Sequence, residues 1–161
     1  MSDFHFENIM IGERHELGKE VLTTAAIKKF AAKYDPQYFH LDEKAASDSL
    51  FGALCASGWH VCALWMSKLV PYRAEAIFTA PNPMEALAAQ GPSPGVENIR
   101  WFKPAFAGDT LNFYSTIIEK EDWHKPDWGL VKTQAEIINQ HGETICSFIG
   151  KGLIRKLPNE E

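Results

Sequence analysis

The fold and the chemistry of this chain follow from two segments, Tyr34-Asp35-Pro36-Gln37-Tyr38-Phe39-His40-Leu41-Asp42 and Ala56-Ser57-Gly58-Trp59-His60. In the first segment the acid Asp35 precedes His40 by five residues, and in the second Gly58 opens a long apolar stretch. A carboxyl, an imidazole and a backbone N–H at a helix start can together move a proton between water and a carbon beside an activated carbonyl. Asp35, His40 and Gly58 are therefore the candidate functional residues.

The residues before Asp35 predict a helix that ends at the first segment. Thr23 is a suitable N-cap. The apolar residues after it follow the i, i+3, i+4, i+7 spacing of one helical face, at Ile27, Phe30, Ala31 and Tyr34. Because Pro36 disfavours the helical conformation in the residue before it, the helix should stop near Tyr34. Asp35 and His40 are thus predicted to lie on a loop leaving this helix, a common place for catalytic groups.

A second helix is predicted to begin at Ser57 and to run to Val70. Its apolar residues cover nearly the whole helical circumference, so the helix should be buried on most sides. Pro71 is expected to end or bend it, since proline removes a helical hydrogen bond.

Residues 72–95 differ in composition from the rest of the chain, being rich in proline, alanine and glycine. Within them, Asn82-Pro83-Met84-Glu85 is typical of a capped helix start, and Gly91 is a plausible stop. We interpret 72–95 as an insertion covering part of the functional pocket; a surface excursion with no role is the alternative.

The second half of the chain predicts four strands, Val96–Lys103, Asp109–Lys120, Gly129–Asn139 and Thr144–Lys156. Gln140-His141-Gly142 supplies a short hairpin connection between the last two. Helices early in the chain and a meander of long strands after them favour an α+β fold, with helices on one face of an antiparallel sheet.

Bulk composition excludes several classes of function. The chain has 161 residues, enough for one domain with a sizeable core, and a net charge of −5, which argues against nucleic acid as a partner. Its three cysteines, Cys55, Cys62 and Cys146, have no CxxC spacing, which favours free thiols in a reducing compartment over disulfides or a metal site. No apolar run reaches transmembrane length, and no leader pattern is present. We predict a cytoplasmic protein with no membrane partner and no metal.

The two opening segments, at their mutual spacing, resemble the MaoC-like dehydratases, a family that includes the (R)-specific enoyl-CoA hydratases. A later stretch, Arg100-Trp101-Phe102-Lys103-Pro104-Ala105-Phe106-Ala107-Gly108-Asp109-Thr110-Leu111, resembles the proline-then-Gly-Asp-Thr-Leu entry into the second half of that family. The resemblance implies a hotdog fold, an antiparallel sheet wrapped around a long central helix, as a single domain over residues 1–161. It also implies a homodimer or higher homo-oligomer, with substrate bound near the subunit interface.

The same resemblance implies roles for the candidate residues. Asp35 and His40 would be the acid/base pair of a hydratase, and the N–H of Gly58 would bind the thioester carbonyl. Gln37 and Tyr38 stand where the family pattern prefers Asn and Pro, and Ser57-Gly58 replaces a histidine-glycine pair. These departures bear on the identity of the substrate more than on the type of reaction.

Five further residues are predicted to bind substrate: Ser57, Trp59, His60, Arg100 and Lys103. Each also has an ordinary structural interpretation. Ser57 is an N-cap, His60 suits a polar core position, and Trp59, like Trp65 and Trp101, is favoured as a core residue. Arg100 and Lys103 could meet the phosphates of coenzyme A, or form a solvated strand edge.

Three functions follow as hypotheses. The leading one is a hydro-lyase that reversibly hydrates a trans-2-enoyl-CoA, or dehydrates a 3-hydroxyacyl-CoA, with the (R) configuration implied by the resemblance. The alternatives are a hotdog acyl-CoA thioesterase and a non-catalytic protein that binds acyl-CoA. The hydratase needs no cofactor, because coenzyme A is part of the thioester substrate.

Overall fold

The computed structural model describes residues 4–158, so the outer three residues at each end of the predicted 1–161 domain lie outside it. After a short 3-10 turn at Phe6–Asn8, the elements are β1 (Arg14–Val21), α1 (Thr24–Tyr34), α2 (Tyr38–Leu41), α3 (Glu43–Ser47), α4 (Gly58–Phe78), α5 (Pro83–Ala88), β2 (Val96–Trp101), β3 (Thr110–Asp122), β4 (Trp128–Ile138) and β5 (Thr144–Arg155). The four predicted strands are confirmed, with ends within two residues of those expected.

The strands form one antiparallel sheet in the order β1-β3-β4-β5-β2. Of the four strands predicted to form a meander, β3, β4 and β5 do so, whereas β2 pairs with β5 at one edge and not with β3; β1 is the other edge. Sequence analysis missed β1 because its alternation is weak: within RHELGKEV only Leu17 is buried, and Gly18 sits at a bulge with φ of 115°.

Helix α4 packs against one face of this sheet, and the hydrophobic core lies between the helix and the sheet. Val61, Trp65 and Leu69 of the helix are buried against strand residues that include Phe113 and Phe148. The indole N–H of Trp65 donates to the Tyr114 carbonyl at 2.8 Å, and its ring meets Phe148 edge-on with centroids 5.0 Å apart. The α+β prediction, with a sheet wrapped around a long central helix, is confirmed.

The expectation that α4 is buried on most sides was wrong, and of the two outcomes expected at Pro71, an end or a bend, the end does not occur. The helix passes through Pro71 and continues to Phe78, and both Leu69 before the proline and Ile77 after it are buried. The helix is also not buried on most sides. Trp59, Met66 and Val70 lie on an outer face of the helix, and each is about half exposed.

The interpretation of 72–95 as a cover for the functional pocket was also wrong. Its first seven residues complete α4, and residues 83–88 form α5. Beyond α5 the chain returns to β5, where the Gly91 N–H donates to the Leu153 carbonyl at 2.8 Å and Arg155 N–H donates to Ala89 at 2.9 Å. This segment lines a second cavity and makes no wall of the one beside Asp35.

None of the helices in the described part of the chain combines the length and apolar character needed to cross a membrane.

Candidate active site

Asp35 and His40 face each other across a short turn. Helix α1 ends at Tyr34, and Asp35 has left the helical conformation, with φ of −152° and ψ of 68°, as Pro36 requires. His40 lies on the single turn of α2 rather than on a loop, which turns its ring back toward α1. The Nε2 atom of His40 lies 3.5 Å from Oδ2 of Asp35. The histidine side chain is 6% exposed and the carboxylate 21%, so the pair is largely shielded from solvent.

A backbone carbonyl fixes the tautomer of His40. Its Nδ1 lies 2.7 Å from the carbonyl oxygen of Cys55. Because a carbonyl can only accept a hydrogen bond, Nδ1 carries the proton and donates it. In the neutral ring the lone pair is therefore on Nε2, the nitrogen on the side of Asp35, where it can accept a proton from a water molecule bound beside the carboxylate.

Asp35 is held as a carboxylate. Partial burial acts to raise its pKa, but hydrogen bonds from the Ser57 hydroxyl and the Gln37 amide, together with the nearby His40, outweigh that effect and lower the pKa below its ordinary value. The Gln37 bond, from Nε2 to Oδ1 of Asp35, is 2.8 Å long. No sequence pattern predicts this contact of Gln37, which stands where the family pattern prefers Asn.

Gly58 presents an unused N–H at the start of α4. Ser57 is the N-cap, and its buried hydroxyl accepts from the Trp59 N–H at 3.3 Å. The Gly58 N–H itself has no hydrogen-bond partner within residues 4–158, as is usual for the first turn of a helix. It also lies at the positive end of a helix of 21 residues. Negative charge that develops on a nearby oxygen would be stabilised there.

Trp101 packs directly on Gly58, a contact that sequence analysis missed. A Cβ atom at position 58 would come within 2.8 Å of three atoms of the Trp101 indole. Trp101 and Trp59 are 45% and 57% exposed, and their rings meet edge to face with centroids 5.3 Å apart. The expectation that both belong to the core was wrong, whereas Trp65 is a core residue.

These groups share one cavity of about 430 Å³. Asp35, His40, Ser57 and Gly58 lie on its wall together with Trp59 and Trp101. Most of the remaining lining is apolar, with Phe39, Phe51, Val61, Ala105 and Ile145. An apolar pocket with a few converging polar groups is the usual form of a site for a small organic ligand.

Of the other residues predicted to bind substrate, one lines the cavity and two do not. Lys103 lines this cavity and forms an ion pair with Glu143. Arg100 sits on β2 opposite Ser147 and is not part of the wall. His60 is not part of the wall either: it is 6% exposed and stacks on Phe30 with centroids 4.6 Å apart. The substrate-binding roles assigned to these residues stay predictions.

No cluster of three or more metal-ligating side chains occurs in the portion covered by residues 4–158. Cys55 is buried, which raises the pKa of its thiol to about 11, so that it is protonated at neutral pH. The contribution of Cys55 to the site is its backbone carbonyl.

The chain matches known proteins over most of its length. The description of the MaoC like domain family fits residues 8–137. The structure of the MaoC-like dehydratase from Rhodospirillum rubrum is similar to this one, with 32% identity, a TM-score of 0.80, and coverage of 97% of this chain and 99% of that one. A conserved hypothetical protein of Mycobacterium tuberculosis with a double hotdog fold shares the fold, at 14% identity and a TM-score of 0.71 over 98% of this chain and 46% of its own.

A shorter match involves an enzyme of known reaction. The mesaconyl-CoA hydratase of Cereibacter sphaeroides is 37% identical over 57 residues, which is 35% of this chain. The match spans only 17% of that enzyme.

Proposed function

The chain belongs to the family of MaoC-like domain proteins, and we propose that it is a hydro-lyase that reversibly hydrates a trans-2-enoyl-CoA to an (R)-3-hydroxyacyl-CoA. The observation that carries this proposal is the pairing of His40 Nε2 with Asp35 Oδ2, 3.5 Å apart, in the same cavity as the unused Gly58 N–H. The partial match to a hydratase of a coenzyme A thioester supports the choice of substrate class.

Asp35, His40 and the Gly58 N–H each have a role in the proposed reaction. Nε2 of His40 takes a proton from a water molecule, and the imidazolium that forms is stabilised by the Asp35 carboxylate. The water oxygen adds to C3 of the enoyl group, and the electron pair of the double bond moves through C2 to the thioester oxygen. The Gly58 N–H stabilises that oxygen, a contribution worth about 3–4 kcal/mol where such a donor has been removed from other enzymes. The proton then passes from the Asp35–His40 pair to C2, which restores the thioester carbonyl.

The decisive experiment separates hydration from thioester hydrolysis. A panel of enoyl-CoA thioesters is followed by loss of conjugated-enone absorbance, with free thiol assayed in parallel. We expect absorbance loss without thiol release. Thiol release would instead identify a thioesterase, and tight binding without turnover would identify an acyl-CoA-binding protein.

Variants of the pair test the assignment of residues. Asp35→Asn and His40→Gln should each lower kcat by about 100-fold or more, because each removes a proton-transfer group. Asp48→Asn and His141→Gln, at exposed positions away from the cavity, are the matched controls and should keep full activity. Normal turnover in either member of the Asp35–His40 pair would disprove its role.

We also propose that the protein assembles as a homodimer. The outer face of α4, with Trp59, Met66 and Val70, is a stripe of large apolar side chains, and β2 leaves a sheet edge open. Exposed edges and apolar stripes of this kind are ordinarily covered by a partner. Sedimentation velocity at micromolar concentration should give a dimer. A fully active monomer would contradict this.

A further inference from the structure

A second cavity lies at the other end of α4, away from the catalytic groups. Its volume is about 360 Å³, and its walls are the segment before β1, the second half of α4 and the inner face of the sheet. Leu17, Leu69, Ile77 and Ile154 make much of this wall apolar. The size and lining are those of a pocket for a small organic molecule.

The cavity has a guanidinium without a counter-charge. Arg73 of α4 lines it at an exposed position, and no carboxylate within residues 4–158 lies in ion-pair range of its side chain. The acid on the same wall, Glu13, is directed to His15, with 3.6 Å between Oε1 and Nε2. His15 is bonded in turn through Nδ1 to the Tyr72 hydroxyl at 2.9 Å. The cation is therefore available to an anionic ligand.

Two buried hydroxyls lie on the floor of the same cavity. Ser115 of β3 and Thr133 of β4 are 3% and 5% exposed, and both are on the sheet face that packs toward α4. Neither side chain has a hydrogen-bond partner anywhere in the described chain. His60 Nδ1 is the one fully buried side-chain nitrogen or oxygen without a partner among residues 4–158, so the Ser115 and Thr133 oxygens are reached from the open space of the cavity. A polar group of a ligand in this cavity can therefore bond to them.

This cavity is separate from the catalytic one. No residue lines both. Arg73 follows Gly58 by fifteen residues on α4, which corresponds to about 22 Å along the helix axis. A ligand held by Arg73 is therefore bound at a place distinct from the cavity that contains Asp35 and His40.

We propose that this second cavity binds a small hydroxy-carboxylate with an apolar body. Its carboxylate would pair with Arg73 at the exposed rim, its hydrocarbon part would contact Leu69 and Ile77, and its hydroxyl would bond to Ser115 and Thr133 on the floor. The three features of the ligand correspond to the guanidinium, the apolar wall and the unpartnered hydroxyls.

The test is calorimetric titration of the intact protein with 8-hydroxyoctanoate, compared with octanoate and with the neutral 8-hydroxyoctanamide. We expect 8-hydroxyoctanoate to bind with a dissociation constant below about 1 mM. Arg73→Gln should weaken binding at least tenfold, whereas Lys29→Gln, which removes one positive charge from the exposed surface of α1, should leave it unchanged. The amide should bind the wild type as weakly as the acid binds Arg73→Gln.

The floor hydroxyls are tested by the double variant Ser115→Ala/Thr133→Val, with its melting curve measured in parallel. The double variant should weaken the binding of 8-hydroxyoctanoate more than the binding of octanoate. Equal binding of the acid and the amide, no binding by the wild type, or undiminished binding by Arg73→Gln would overturn the proposal. Loss of binding in His40→Gln would place the ligand in the catalytic pocket and overturn it as well. None of these results depends on whether the protein hydrates an enoyl thioester.

Discussion

Replacement of Gly58 by alanine is the perturbation whose outcome the structure specifies most closely. The backbone of Gly58 does not have a positive φ, so alanine meets no conformational penalty there. The obstacle is Trp101, since the new Cβ would lie 2.5 Å from Cε2 and 2.8 Å from Cδ1 of the indole. Carbon atoms in contact are normally about 3.5–4.0 Å apart, so the ring must move by about 1 Å or more.

The free-energy cost of Gly58→Ala comes from the displacement of the Trp101 ring. Overpacking of this kind typically costs about 1–3 kcal/mol. Trp101 is 45% exposed and can turn toward solvent, which favours the lower part of that range. Turning would also weaken its edge-to-face contact with Trp59, and such contacts contribute about 0.5–1.5 kcal/mol. We expect Gly58→Ala to lower the free energy of unfolding by about 1–2 kcal/mol.

The assay is a double-mutant cycle measured by urea denaturation. Gly58→Ala is compared in the wild type and in a Trp101→Val background, where the indole is absent. The cost should largely disappear in that background, which gives a coupling free energy of about 1 kcal/mol or more between the two positions. An equal cost in both backgrounds would refute the reasoning. Enoyl-CoA turnover should also fall in Gly58→Ala, because the displaced ring reshapes the wall beside the proposed oxyanion donor.

Two further predictions concern the polar groups of the catalytic cavity. Ser57→Ala removes an N-cap, at a cost of about 1 kcal/mol, and a hydrogen bond that lowers the pKa of Asp35. The acid limb of the pH–rate profile should therefore move to higher pH. The stability difference from wild type should shrink as pH falls through the folded-state pKa of Asp35, with Ser57→Thr as the control that restores both properties. Lys103→Gln should raise KM for a coenzyme A thioester at unchanged kcat, because it removes the proposed contact with a phosphate. KM for the corresponding pantetheine thioester, which lacks that phosphate, should not change. Equal effects on both thioesters would show that Lys103 does not contact a phosphate.

The part of the site that could be predicted is the part set by local sequence rules. Pro36 forces Asp35 out of α1, and the apolar stretch after the N-cap Ser57 predicts a long helix, so the acid and the helix start follow from short-range patterns. The strands β3, β4 and β5 were also predicted from local pattern, most clearly in β4, where the buried residues Thr133, Ala135 and Ile137 alternate with less buried ones.

The rest could not be predicted because it depends on contacts between residues distant in sequence. Trp101 on Gly58 is the plainest case: a tryptophan looks like a core residue, and only the sheet register brings this one to the mouth of the cavity. The passage of α4 through Pro71 is another, because tertiary burial of Leu69 and Ile77 overrides a local helix-breaking signal.

Much of the proposed chemistry rests on backbone groups, and this explains why side-chain patterns describe the site incompletely. The Cys55 carbonyl fixes the proton of His40, and the Gly58 N–H is the free donor. Cys55 is itself held by a bridge to Phe106, at the entry to β3. The loop between β2 and β3, which carries the proline and the Gly-Asp-Thr-Leu sequence, thus supports the carbonyl that orients the base. The loop therefore supports a backbone carbonyl that orients the His40 imidazole, while Asp35 contacts the same ring through its side chain.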